Sequence, residues 1–329
     1  MILVLVDHDR GLLDPLSLRA LTAARKLSSD GDVQALVIGK AGAQVAEEIS
    51  HYGAKKLYVA THDALTDYAP QASGRAIREI IEEYKPVAVL AAGSPRGNEQ
   101  LAHVAAILDL PMAAECSSIT LGSPHEVTRA RWAGNLFEDA LVHSELLIAT
   151  VLAFSVEPET VTGSTGEIEI IEREVTLQAG DTLIKVLGRA SENGDQSTTQ
   201  VGGVSLTDAK VIVSGGRGVG GPEGFGILEE LADLLGGAVG CSRVVTSSGW
   251  RPHAEQVGQT GTKVAPELYL ACGISGAMQH IAGCKNSKTI VVINTDPEAP
   301  ILAYADYAII GDLHKVIPAL TDAVKKARV

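Results

Sequence analysis

Short aliphatic runs alternate with amphipathic stretches along most of this chain, and that alternation limits its architecture more than any other feature. ILVLVD (Ile2 to Asp7) precedes a helical pattern from about Asp14 to Leu27, and VQALVIG precedes one from about Gly42 to Tyr52. KLYVAT then precedes a helix ending near Tyr84, and AVLAAG precedes GNEQLAHVAAILDLP. Strands without polar alternation are buried on both faces, and strand–helix repeats lay them side by side in parallel. From Ala113 to about Arg189 the pattern changes to strand-like segments such as LLIATVLAF and GEIEIIEREV, which are expected to complete or edge the same sheet.

The stretch SENGDQSTTQVGG, Ser191 to Gly203, is polar, glycine-bearing and without periodicity, and reads as a linker. After it the rhythm restarts. KVIVSGG, AVGCS, ELYLACG, TIVVINTD and YAIIGD are strand-like, with helices expected through GILEELADLLGG, around His280, and from His314 to Arg328. The expected fold is α/β, with two parallel-sheet domains: residues 1–190, a linker over 191–207, and a Rossmann-like domain over 208–329. A ligand of the second domain is expected at the carboxyl ends of its strands.

Composition narrows the partners. Lys and Arg total 27 against 40 Asp and Glu, a formal net charge of −13, which argues against nucleic acid. Met1 leads straight into a strand-like run, with neither a signal peptide's n- and h-regions nor an Arg-rich transit pattern. No apolar run is long enough to span a bilayer. A cytoplasmic protein without membrane insertion is the expectation. Cys116, Cys241, Cys272 and Cys284 form no C-x-x-C pair and have no His at zinc-finger spacing, so they read as reduced, mostly buried thiols.

Glycine turns carry the chemical signal. The first strand of the second domain ends in GGRGVGGPEGFG, Gly215 to Gly226, whose glycines allow close backbone approach to a pyrophosphate while Arg217 offers a planar guanidinium. It is neither a Walker A loop nor a regular G-x-G-x-x-G. GCSR at 240–243, GQTG at 258–261, GISG at 273–276 and INTD at 293–296 also end or follow strands. Several such turns on one sheet edge point to an extended dinucleotide site. His8, His51, His62 and His103 have no convergent carboxylate or cysteine partners in the sequence. No nucleophile–base pair emerges, since Ser275 lacks a triad and GISGA is not a hydrolase elbow, so the chemistry is expected to belong to a cofactor.

The run from VGQTG through VAPELYLACGISGAMQHIAG, SKTIVVINTDPEAPI and ADYAIIGDL resembles the alpha subunit of electron transfer flavoproteins over almost the whole second domain. SGGRG and GCSR upstream stand in the order and spacing of that family, and the first half resembles its N-terminal domain in pattern and length. Met278 and Cys284 stand where larger or branched aliphatics are usual, and His314 replaces an aromatic.

The resemblance implies bound FAD. Arg217 and Ser242 would hold the diphosphate region, and Val257, Gly258, Gln259 and Thr260 would line the isoalloxazine ring. Ser275, Gly276, Ala277, Met278, Gln279 and His280 would wrap the phosphates and ribityl chain, while Asn294, Asp312 and Leu313 would face the adenosine end. Arg243, Thr260 and His280 would tune the flavin's redox chemistry, His280 as a donor and, when protonated, as a positive charge. The implied carrier takes electrons from dehydrogenases to a quinone reductase or similar acceptor, in a heterodimer with a beta subunit. Its first domain would be a scaffold of nucleotide-hydrolase-like fold holding no nucleotide, although Gly93, Ser94, Arg96 and Gly97 of AAGSPRGNEQ resemble an adenine-nucleotide loop. Two other readings stay open on the residues: a nicotinamide-nucleotide-binding protein related to transhydrogenase or deacylase-type folds, and a nonredox adenine-nucleotide sensor.

Overall fold

The computed structural model describes residues 1–164, 166–184, 186 and 204–327; the linker expected over 191–207 lies outside these except for its last four positions. The chain divides into two compact units, Met1–Arg189 and Ala190–Val329.

In the first unit the strands are Ile2–Leu5 (β1), His8–Asp9 (β2), Leu12–Leu13 (β3), Val33–Ile38 (β4), Lys56–Thr61 (β5) and Ala88–Ala92 (β6). They continue with Met112–Thr120 (β7), His125–Arg131 (β8), Leu136–Val142 (β9), Leu147–Val151 (β10) and Glu169–Glu174 (β11). Nine of them form one sheet in the order β11-β5-β4-β1-β6-β10-β7-β8-β9, parallel except where β8 pairs antiparallel with β7 and β9. The helices are Pro15–Leu27 (α1), Ala46–Ser50 (α2), Pro70–Tyr84 (α3) and Pro95–Leu108 (α4).

Alternation along β1 shows why both faces must be covered. Ile2, Val4 and Val6 pack with Leu18 and Leu21 of α1, whereas Leu3 and Leu5 pack with Ile77 of α3 and Leu101 of α4. The helix expected from about Gly42 to Tyr52 is broken into a 3-10 stretch, Lys40–Val45, and the five-residue α2. Gly39 enters it at φ +88°, and Gly42 is pressed so closely on Val37 that a Cβ there would lie 2.6 Å from the valine's Cβ. A regular helix cannot start that near the sheet.

The second unit has Val211–Gly215 (β12), Ala238–Cys241 (β13), Leu268–Cys272 (β14), Ile290–Asn294 (β15) and Tyr307–Ile310 (β16). All pair in parallel, in the order β13-β12-β14-β15-β16. Gly226–Leu235 (α5) and Leu313–Ala327 (α8) cover one face with Val213, Leu270 and Cys272. Met278–Cys284 (α7) packs on the other, with Ile281 and Cys284 against Ile212, Tyr269 and Ala271. Arg243–Ser247 (α6) is a helix of five residues that the sequence reading did not include. All four cysteines are free and buried, and burial pushes each thiol up to about 12. They are therefore inert in the folded chain.

Candidate functional site

Because the second sheet is wholly parallel, the turns after β12, β13, β14 and β15 meet at one edge. The β12 and β14 turns are bonded directly to each other: Gly216 N–H donates to Cys272 O at 2.9 Å and Gly218 N–H to Gly273 O at 3.0 Å. Ser242 N–H reaches Gly215 O at 3.0 Å, and Gly273 N–H reaches Ile293 O at 2.9 Å. A Cβ on Gly218 would lie 2.7 Å from Gly273 Cα, so these turns approach as closely as bare backbone permits. Above them lies a cavity of ≈ 570 Å³. That is within the range of cofactor clefts.

The VGQTG loop and the GISGAMQH loop form one wall. Gln259 N–H donates to Gln279 O at 2.7 Å, and Val264 N–H donates to Gly283 O at 2.7 Å. Arg217 and Arg243 both line the cavity, and both are exposed. Neither guanidinium is paired with a carboxylate among the described residues, whereas Arg251 nearby in sequence is held by Glu229 and Glu255. No acceptor meets the backbone N–H groups of Ser275, Gly276 or Ala277 among the described residues. Two unpaired cations and a run of unused amides beside a cavity suit an anionic ligand.

Thr260 is tied into the wall by Gln256, a buried side chain that the sequence did not single out. Gln256 Nε2 donates to Thr260 Oγ1 at 3.0 Å, and its Oε1 accepts from Thr246 Oγ1 at 2.6 Å. The same Thr246 hydroxyl lies 2.9 Å from the carbonyl of Arg243, which shares its single proton with Gln256 Oε1, so one network holds the turn of Arg243 and the loop of Thr260.

His280 corrects one expectation. It lines the cavity but is only 6% exposed, and burial pushes its pKa down to about 4 against a weak opposing pull from the Val257 carbonyl. The imidazole is neutral near pH 7, and no positive charge is available from it there. Its Nε2 is 2.9 Å from Tyr269 Oη, and its Nδ1 is buried without a well-formed partner.

Ser242, Val257, Gly258, Gln259, Thr260, Ser275, Gly276, Ala277, Gln279 and Asn294 line the same cavity as Arg217, Arg243 and His280. Asn294 uses both ends of its amide, donating to Ile274 O at 2.9 Å and accepting from Asp296 N–H at 3.1 Å. Met278, Asp312 and Leu313 do not line it. Met278 is exposed, near Tyr304; Asp312 accepts from His314 N–H at the start of α8. Leu313 is buried behind Gly273, where a Cβ on the glycine would be 2.9 Å from its Cδ2. Besides Gln256, sequence reasoning passed over Ser247 and Ser248 in the lining. Their signal was faint: a polar run closing α6.

Comparison with known proteins follows the same division. Residues 205–285 match the electron transfer flavoprotein FAD-binding domain, and residues 2–176 match the electron transfer flavoprotein domain. The chain is 37% identical to electron transfer flavoprotein subunit alpha of Bacillus subtilis, over 100% of its own length and 98% of the relative's. It is 38% identical to that of Mycobacterium leprae over 98% of each chain. The Thermoanaerobacterium thermosaccharolyticum protein of the same name is 36% identical over 99% of this chain and 98% of the relative. The chain belongs to the electron transfer flavoprotein alpha subunits.

FAD is the cofactor of this alpha subunit's second unit. The cavity fits such a group: its floor is made of glycine turns packed backbone against backbone, where a Cβ on Gly218, Gly273 or Gly276 would collide with the neighbouring segment, and among the described residues neither guanidinium pairs with a carboxylate and the buried Nδ1 of His280 makes no hydrogen bond. Among the described residues no cluster of His, Cys, Asp and Glu suits a metal ion, and no helix is long and apolar enough to cross a membrane. The first unit has a smaller cavity of ≈ 210 Å³ where β1 meets its neighbours. Arg96 there is turned onto its own chain, donating to His8 O at 3.1 Å, lying 3.5 Å from Asp7 and stacking 4.8 Å from the Tyr68 ring centroid. Burial is the main cause raising the Asp7 pKa, to about 6, with Arg96 opposing it.

Proposed function

We propose that this alpha subunit carries electrons from dehydrogenases to a quinone reductase or similar acceptor, using FAD held in the ≈ 570 Å³ cavity at the carboxyl edge of the second sheet. The observation that carries the residue assignment is the convergence of two unpaired guanidinium groups and two joined glycine loops on that one cavity. When bound, the isoalloxazine ring supplies one- and two-electron chemistry. Arg217, Ser242 and the amides of Ser275 to Ala277 bind the diphosphate. Val257 to Thr260 and Gln279 flank the ring, and Arg243 balances the negative charge that reduction adds. His280 offers a neutral hydrogen bond. Asn294 shapes the adenosine end by pinning two turns, and Asp312 and Leu313 act from behind the Gly273 turn.

The chain pairs with a beta subunit in this reading. Strand-end loops with few aromatics leave one side of a flavin ring for another chain to cover. The first unit serves as scaffold, with Arg96 already engaged by His8, Asp7 and Tyr68. Four free, buried cysteines suit a reducing compartment such as the cytoplasm. Coexpression with the beta subunit is expected to give a yellow one-to-one complex with flavin absorption bands. A colourless complex that holds a nicotinamide or adenine nucleotide would overturn the proposal.

A further inference from the structure

Gln256 is 2% exposed, lines the cavity, and stands immediately before the VGQTG loop. Its main chain is fixed on both sides. The N–H donates to His253 O at 3.0 Å, the carbonyl accepts from Thr262 N–H at 2.7 Å, and Val257 N–H beside it reaches Cys241 O at 2.9 Å. A side chain rooted this firmly can hold a neighbour that is less well anchored.

That neighbour is α6. It begins at Arg243, has five residues, and buries one side chain, Val245. A helix so short does not hold its own shape in water, so its tilt depends on what ties it down. Thr246 lies three residues after Arg243, on the same helical face. Its hydroxyl stands 2.9 Å from the Arg243 carbonyl and 2.6 Å from one end of the Gln256 amide, and the other end of that amide is 3.0 Å from Thr260 Oγ1. One end of a carboxamide donates and the other accepts, while a hydroxyl does either. Both bonds therefore form whichever way the amide is placed. Methionine has the same reach without the bonds, and an ionised glutamate would bring a buried charge.

We propose that Gln256 is a positioning residue: its amide ties α6 to the VGQTG loop and so fixes where the base of Arg243 stands relative to Thr260. The consequence for redox chemistry rests on the flavin reading above; the tie does not. Freed at Thr246, α6 keeps only Val245 to set its tilt, and Arg243 is no longer held at one distance from the ring. A guanidinium that recedes from ~4 Å to ~6 Å loses about a third of its charge interaction.

The test is hydrogen–deuterium exchange of the full complex with the beta subunit, read over residues 243–250, for wild type, Gln256→Met and Thr246→Val. The first variant removes the tie from the loop side and the second from the helix side, so either carries the test should the other fail to fold. The N–H groups of Ser248, Gly249 and Trp250 donate to the carbonyls of Val244, Thr246 and Val245. They are expected to exchange about five- to thirtyfold faster in both variants, the scale of one to two hydrogen bonds. Potential titration supplies the second readout. Gln256→Met is expected to weaken the preference for the reduced flavin about twofold, against about fivefold for Arg243→Ala, if a quarter of the charge interaction survives solvation. In the Arg243→Ala background, Gln256→Met is expected to shift nothing further. Unchanged exchange in both variants overturns the proposal, whatever the flavin does. So does a Gln256→Met shift that persists in the Arg243→Ala background, or a potential that moves in Arg243→Ala and stays fixed in Gln256→Met. Faster exchange with potentials unmoved in Gln256→Met and Arg243→Ala alike upholds the tie and counts against the flavin ring's placement beside Arg243 instead.

Discussion

Replacing Gly276 by alanine tests how tightly the cavity floor is built. Gly276 has φ +89°, and a Cβ there would stand 2.6 Å from both Cα and Cβ of Ile301, whose N–H donates to Ser275 O at 3.2 Å. The left-handed backbone costs a non-glycine residue about 1–2 kcal/mol, and forcing Ile301 aside adds roughly 1–3 kcal/mol. Gly276→Ala should therefore destabilise the second unit by about 2–5 kcal/mol. Two other glycines separate these contributions. Gly220 has φ +88° with open space around its Cβ direction, so Gly220→Ala should lose about 1–2 kcal/mol. Gly226, with φ −54° at the start of α5 and nothing within 4 Å, should gain about 0.4–1 kcal/mol as alanine. Trp132 is 80% exposed in the first unit, while Trp250 packs against the second unit's core, so urea unfolding followed by tryptophan emission reports mainly the second unit. If Gly276→Ala loses no more stability than Gly220→Ala, Ile301 does not press on that turn and the floor is looser than described.

His280 is titrated near 6.5 when unfolded but only at about 4 when folded, so the second unit should lose about 3 kcal/mol as pH falls from 6.5 to 4. His280→Asn should flatten that slope in urea titrations read by Trp250, and an unchanged slope would place the proton elsewhere. Asp7 has the opposite sign: its pKa rises from 3.8 to about 6, so its contribution is present at low pH and lost as pH rises through 6. Asp7→Asn should stabilise the first unit above pH 6 by up to about 3 kcal/mol and change little below pH 4, as far-UV circular dichroism would show. Expressed without its beta subunit, the chain should retain FAD poorly or self-associate. A monomeric, fully flavinated chain in size-exclusion chromatography would contradict the shared-site reading.

Much of the architecture was legible because burial on both faces leaves no room for polar residues: Leu3 and Val4 of β1 each face a separate helical layer. The site edge was legible for a related reason, since parallel strands put Gly215, Cys241, Cys272 and Asn294 at one end. What escaped depends on contacts between distant segments. Nothing in GAMQHIAG tells which face His280 turns inward; that is fixed by Tyr269, eleven residues earlier on β14, with which its ring forms a 2.9 Å bond. Gln256 precedes the glycine motif and looks like an ordinary polar loop residue until Thr246 and Thr260 are brought to either end of its amide. Met278 and Leu313 sit inside motif runs but point away, one to solvent and one into the core. The breakdown of the helix after β4 follows from backbone crowding at Gly42 that periodicity cannot register.

Spectroelectrochemical titration of Arg243→Ala beside Arg217→Ala tests most directly how the two cations are divided between ring and phosphates. A unit charge ~4 Å from the ring at an effective dielectric of ~20 is worth about 4 kcal/mol before solvation losses. A quarter of that moves a one-electron potential by roughly 40 mV. Arg243→Ala is predicted to keep most of its FAD and lower the flavin potential by about that amount, because reduction then adds negative charge with no cation beside it. Arg217→Ala is predicted to lose FAD more readily with a smaller shift, since a phosphate carries the same charge in every redox state. An unchanged potential in Arg243→Ala with FAD simply lost, together with a shifted potential in Arg217→Ala, would contradict the assignment of the ring to the VGQTG loop and of the phosphates to the glycine turns.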